Sequence, residues 1–148
     1  MPNKSGIVRW LTACLTGLGA WLMAATPAAA HEVRPAYLEV TEITPGTYDV
    51  TWKQPVLDGR RLKIDPVFPE ACAREGEYVT SPGGTLVQRW TTKCDLNKGE
   101  IRIDGLERTL TDAFVRIDRL EGDDIGAVLR PSSPVLDLTI PAGAPVAT

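Results

Sequence analysis

His31 is the only histidine in the chain, and it stands directly after Ala28-Ala29-Ala30. Small residues at Ala28 and Ala30 are what a signal peptidase reads. A cut between Ala30 and His31 would make His31 the first residue of the mature protein, with a free α-amine beside its imidazole. Those two nitrogens can close a chelate ring on one metal ion. Their reference pKa values are about 8 and about 6.5, so a divalent metal competes with protons at both near neutrality. Imidazole and amine donors suit Cu(II), Ni(II) and Zn(II). Glu32 is the nearest carboxylate in sequence to extend the shell. Two protein nitrogens alone make an incomplete site, and the bland alternative is an exported chain that merely begins with a histidine.

The other reactive side chains point to structure. Of the three cysteines, Cys14 falls in the candidate leader, which leaves Cys72 and Cys94. Two cysteines in an exported chain are read as one disulfide, whereas a redox pair would favour Cys-x-x-Cys and a zinc site would need more ligands. A lone histidine outside any internal motif gives no Ser-His-Asp or Cys-His arrangement, and no glycine-rich phosphate loop opens a helix, so the expectation is a non-enzyme. Tyr37, Tyr48, Trp52 and Trp90 could form an aromatic platform for a sugar, but their alternation favours a core. Asp118, Glu121, Asp123 and Asp124 lack the spacing of a calcium loop and read as a solvated turn. Arg60-Arg61 reads as an exposed turn pair.

Residues 1–30 are expected to be a signal peptide. Lys4 and Arg9 form a basic start, Trp10 to Ala25 is apolar, and Thr26-Pro27 ends the run. Leu11-Thr12-Ala13-Cys14 has the form of a lipoprotein cleavage box, yet only Trp10 separates it from Arg9, so the usual apolar stretch before such a box is missing. Removing the leader takes the formal charge from −3 to −5, because Lys4 and Arg9 leave and all acidic residues stay. An acidic chain without a basic patch argues against nucleic-acid binding. No later segment is apolar for the length a membrane span needs. The expected location is the periplasm or the medium.

The elements that must position these residues show period two. Ala36, Leu38 and Val40 alternate with polar neighbours; Pro45-Gly46 turns the chain; Tyr48, Val50 and Trp52 resume the alternation. A short strand is expected at Leu62 and Ile64, stopping at Pro66, then a loop over 66–84 with one brief strand near Tyr78. Thr85 to Cys94 is a longer strand. Ile101 and Ile103 follow the Asn97-Lys98-Gly99 turn. Thr109 to Ile117 could begin as a helix, but Ala113, Val115 and Ile117 alternate, so a strand is preferred. Ile125, Ala127 and Leu129 form the next strand, and Val135 to Ile140 the last. Seven to nine short strands without a long helix predict an all-β, antiparallel, immunoglobulin-like β-sandwich over 31–140, with 141–148 an unordered tail.

A resemblance adds to this. His31-Glu32-Val33-Arg34-Pro35-Ala36-Tyr37-Leu38-Glu39, followed by Tyr48-Asp49-Val50-Thr51-Trp52-Lys53, resembles the start of the mature region of the HupE/UreJ family. Gly105-Leu106, Thr109-Leu110-Thr111-Asp112 and Val115-Arg116-Ile117 resemble a later block of the same exported domain, and Arg130-Pro131-Ser132-Ser133-Pro134 its end. The family is associated with nickel or cobalt handling for hydrogenases and ureases. Its longer members join a β-rich extracytoplasmic domain to a polytopic membrane domain that carries the metal-associated His/Asp motif. This chain stops at Thr148, about where that membrane domain would begin, so the resemblance implies the domain and not transport itself. The expected function is a non-catalytic accessory domain beside a polytopic transporter, holding a divalent ion (nickel, copper or cobalt) at His31 and Glu32. The alternatives are a metal-free protein-interaction module and, third, a carbohydrate-binding sandwich.

Overall fold

The computed structural model describes residues 34–57 and 59–139. They form ten strands: β1 (Ala36–Thr44), β2 (Thr47–Leu57), β3 (Arg60–Arg61), β4 (Asp65–Val67), β5 (Glu75–Thr80), β6 (Thr85–Lys93), β7 (Glu100–Asp104), β8 (Ala113–Asp118), β9 (Ile125–Leu129) and β10 (Val135–Asp137), with a 3-10 turn at Leu106–Arg108. The larger sheet runs β5-β6-β2-β1-β8-β9, with β3 folded back on β2. The smaller runs β10-β7-β4. The domain is thus all-β and sandwich-like, as the alternation predicts.

Alternation places the core. Ala36, Leu38 and Val40 of β1 are fully buried, beside Val50 and Trp52 of β2, Trp90 of β6 and Val115 and Ile117 of β8. Ile101 and Ile103 of β7 supply the facing layer, and Leu96, Leu106 and Leu138 close it from the connecting segments; all belong to one apolar cluster. The odd-numbered residues of β1 lie on the opposite face, where the partly buried Glu39 pairs with the buried Thr51. Gly46 takes a left-handed φ of +73° at the tip of the β1–β2 hairpin, which a glycine adopts without penalty.

Several expectations are corrected. The sheet is not antiparallel throughout: β1 lies parallel to β8, with Ala36 opposite Ala113 and Thr41 opposite Asp118. Local alternation says which face a strand buries and nothing about a partner more than seventy residues away. Leu62 to Ile64 is not a strand; the pairing segments flank it as β3 and β4, and β4 contains Pro66. Proline is tolerated there because, among the described residues, β4 is an edge that pairs with β7 alone. Pro55 is tolerated inside β2 for a related reason. The Val56 N–H points to the β6 side, where it donates to the carbonyl of Gly84 just before β6 at 2.8 Å, so the nitrogen of Pro55 faces the side on which β1 has already ended. Arg60-Arg61 is exposed, as expected, but it forms β3 rather than a bare turn. The strand near Tyr78 runs for six residues, and the last strand ends at Asp137.

Gly105 sets the 3-10 turn. It has φ of +82°, and a Cβ there would collide with the carbonyl oxygen of Lys63, so position 105 excludes every side chain.

Candidate functional site

The disulfide is present. Cys72, in the loop after β4, is bonded to Cys94 at the end of β6, with Cα atoms 5.1 Å apart. Each half is held by backbone: the Cys72 N–H donates to Pro69 at 2.8 Å, and the Cys94 N–H to Gly46 at 3.0 Å. The bond therefore ties the irregular 68–74 segment to the β1–β2 turn.

The aromatic residues divide. Tyr48, Trp52 and Trp90 are buried on the inner face of β2 and β6, so these rings are core and offer no exposed platform. Trp90 meets the Phe68 ring edge-on at 6.0 Å, and the Arg74 guanidinium stacks over it at 4.3 Å. Arg74 also bonds Asp65 at 2.6 Å and the Pro66 carbonyl at 2.7 Å, fastening β4 to the loop that carries Cys72. Tyr37 remains half-buried on the outer face under the Lys53 ammonium, 5.3 Å from its ring centre.

Asp118 accepts from Arg116 at 2.7 Å, and Asp124 accepts the Arg119 N–H at 3.2 Å, so two of the turn carboxylates serve the β8–β9 connection. The described residues hold no grouping of three or more His, Cys, Asp or Glu arranged for a metal ion. His31, Glu32 and the cleavage residues Ala28 and Ala30 lie outside the described residues, as does the 141–148 tail.

The start of β1 is clamped by the loop that enters β8. The buried Thr111 hydroxyl donates to the Arg34 carbonyl at 3.0 Å, and the Ala36 N–H donates to Asp112 at 2.9 Å. Arg34, three residues after His31, is thereby fixed beside the loop that enters β8. The Thr109 hydroxyl donates back to the Leu106 carbonyl at 2.8 Å, closing the 3-10 turn, and Thr111 clamps the start of β1.

Glu42 is the most constrained carboxylate. One oxygen accepts the Gly46 N–H at 2.9 Å and the other the Leu120 N–H at 3.1 Å. These two donors hold its carboxyl below the ordinary range against an opposing desolvation, with the Arg119 charge and the Tyr48 hydroxyl adding more weakly. Burial, then the Glu42 charge, pushes the Tyr48 phenol up. Nothing in the sequence marks Glu42, since both donors are backbone groups supplied by turns. A depressed carboxylate contributes stability that is present above its unfolded value and is lost as pH falls through the folded one. Glu42→Gln is expected to be less stable than the parent at pH 7, with the gap closing below about pH 4.5, the ordinary glutamate value. Urea midpoints measured at both pH values check this.

Two open hollows adjoin these features. One of about 390 Å³ is lined by Arg61, Leu62, Lys63, Ile64, Asp65 and Asp104. The other, about 680 Å³, lies under the β1–β2 turn among Glu42, Tyr48, Lys93, Cys94 and Asp95. Both mix charges of either sign, and their carboxylates at Asp65 and Glu42 are engaged in the contacts above.

No protein-family model matches the chain, and no curated protein compared with it matches. The likeness to HupE/UreJ proteins rests on the quoted residues alone.

Proposed function

We propose that the chain is an exported, non-catalytic accessory domain of the HupE/UreJ kind, working beside a polytopic membrane transporter and holding a divalent cation at a mature N-terminus made by His31 and Glu32. The observation that carries this reading is where the resembling residues fall. Arg34 to Glu39 opens β1, Tyr48 to Lys53 is the middle of β2, and Val115 to Ile117 lies in β8, so stretches far apart in sequence become three adjacent strands. Thr111 and Asp112 bond directly to Arg34 and Ala36, so two of the blocks meet at the base of the N-terminal segment. Export is supported by the Cys72–Cys94 bond, which persists in oxidising compartments. No helix among the described residues is long and apolar enough to cross a membrane.

The donor set fits a borderline divalent ion: one amine, one imidazole and one carboxylate. Cleavage after Ala30 would create the amine. The test is Ni(II) titration by calorimetry of the mature chain, its first residue verified by intact mass. His31→Gln is expected to weaken binding by at least the roughly 10–100-fold that loss of an outer-shell partner costs a metal site. Equal affinity in parent and variant, or a mature chain beginning elsewhere, removes the metal from the reading. What stands then is the metal-free interaction module, for which co-purification with a membrane protein in the presence of a chelator is the expected result.

A further inference from the structure

The sheet edges are unequally protected. Strand β5 carries Glu75 and Glu77 and has a register irregularity between Glu75 and Tyr78. β4 contains Pro66, and β10 ends in Asp137. These are the devices by which proteins keep sheet edges from joining. Strand β9, Ile125-Gly126-Ala127-Val128-Leu129, has none of them. It contains no charge and no proline, and its register against β8 is unbroken. Among the described residues it has a hydrogen-bonded neighbour on one side only.

The direction of its free backbone groups follows from the pairing. The Asp112 carbonyl points to β1, so the odd-numbered residues of β8 point to β9, and their partners Ile125, Ala127 and Leu129 point back. The N–H and C=O groups of Gly126 and Val128 therefore face away from the sheet. Arg130 faces the same way, and its backbone groups are bonded to Ser133 at 2.9 and 3.2 Å, which ends the free edge after Leu129. Beyond Ser133 the chain leaves the edge. Pro134 accepts from Ile103, and β10, although it touches β9, takes its hydrogen bonds from β7.

We propose that β9 joins β9 of a second copy of this chain, antiparallel about a two-fold axis through Ala127. The flanking charges select this occupant and direction. In that register Asp124 of each copy faces Arg130 of the other, whereas a parallel pairing would set like against like; both side chains are exposed. Gly126 and Val128 of opposite copies become the hydrogen-bonded pairs, using the outward groups just identified. Their side-chain positions also match. Gly126 has open space where a Cβ would stand, although its φ does not require glycine. Val128, 46% exposed, lies in a row with Phe114, 41% exposed. In the paired form Val128 of one copy covers Gly126 of the other, and two half-exposed apolar rows become one.

The test is sedimentation of the mature full-length chain from micromolar to millimolar concentration, with amide exchange at Gly126 and Val128. A dimer is expected, and exchange at these two amides slows as concentration rises. Arg130→Asp and Asp124→Arg should each weaken the dimer by about tenfold, since two cross-strand pairs turn from attractive to repulsive. The double exchange D124R/R130D should restore it, which a change that merely disturbed the 119–124 turn would not. A monomer at every concentration overturns the proposal. So does a dimer indifferent to both reversals, and so does protection of the two amides that does not vary with concentration, which would mean that another part of the same chain covers the edge.

Discussion

Trp90→Ala is expected to cost the domain about 4 kcal/mol, within the roughly 3–5 kcal/mol range for removing a buried tryptophan. The indole is 2% exposed, sits opposite Val50 in the sheet, and fills the space between Phe68 and the Arg74 guanidinium. Truncation loses the apolar burial, the edge-on ring contact and the cation over the ring face together. A domain of this size has only about 5–15 kcal/mol of stability in all, so the melting temperature should fall by roughly 15 °C or more. Trp90→Phe is the control. Among the described residues the buried indole N–H has no hydrogen-bond partner, so a phenyl ring keeps most of the apolar packing without losing a protein hydrogen bond, and most of the stability should survive. Urea unfolding followed by circular dichroism measures both. An alanine variant within 1 kcal/mol of the parent would mean that Trp90 is not the keystone between the Cys72 loop and the large sheet.

Opening the cross-link is the second large effect. Cys72 and Cys94 are 22 residues apart, a loop whose closure is worth about 3 kcal/mol in the chain-entropy account. C72S/C94S is expected to lose about that much, with a lower urea midpoint and no change in strand content. The loss should be felt first between residues 68 and 80. β5 is largely exposed and its pairing with β6 is irregular, so beyond that ladder and the Gln88–Glu77 bond the segment leans on the disulfide and on Arg74. Limited proteolysis should cut there in the variant and in the reduced parent, and not in the oxidised parent. Cleavage first in β1 or β8 would contradict this.

Eight strands could be read from the sequence, β5 near Tyr78 and β10 from Val135 by their place between turn residues and the other six by alternation. β1, β2, β6, β7, β8 and β9 alternate because one face of each meets the core, and period two records that burial. The cysteine pair could be read as well, since only two thiols remain once the leader is set aside. Strands β3 and β4 were hidden because one is two exposed residues and the other contains a proline, both features of edges, where burial imposes no alternation. The 3-10 turn at Leu106–Arg108 is likewise too short to show a period; what marks it is Gly105, whose place against Lys63 no local rule anticipates. The clamp at Thr111 and the double acceptance by Glu42 depend on contacts 77 and 78 residues apart in sequence. The proposed ligands His31 and Glu32 come from sequence chemistry alone, and lie just outside the residues described.

The parallel contact between β1 and β8 has a consequence for how the chain comes together. A polypeptide threaded through a membrane from its amino end delivers β1 first and β8 some seventy residues later. Until then a strand whose Ala36, Leu38 and Val40 are fully buried in the finished domain stands with one flank bare, and the β1–β2 hairpin can zip onto β6 while that flank waits. The last third of the sequence is thus the closing piece, and any nascent or clipped product that ends before Ala113 presents a sticky template to its neighbours. Holding factors that meet such a product should recognise the Leu38 and Val40 edge, and their hold should lapse once residues 113–118 arrive.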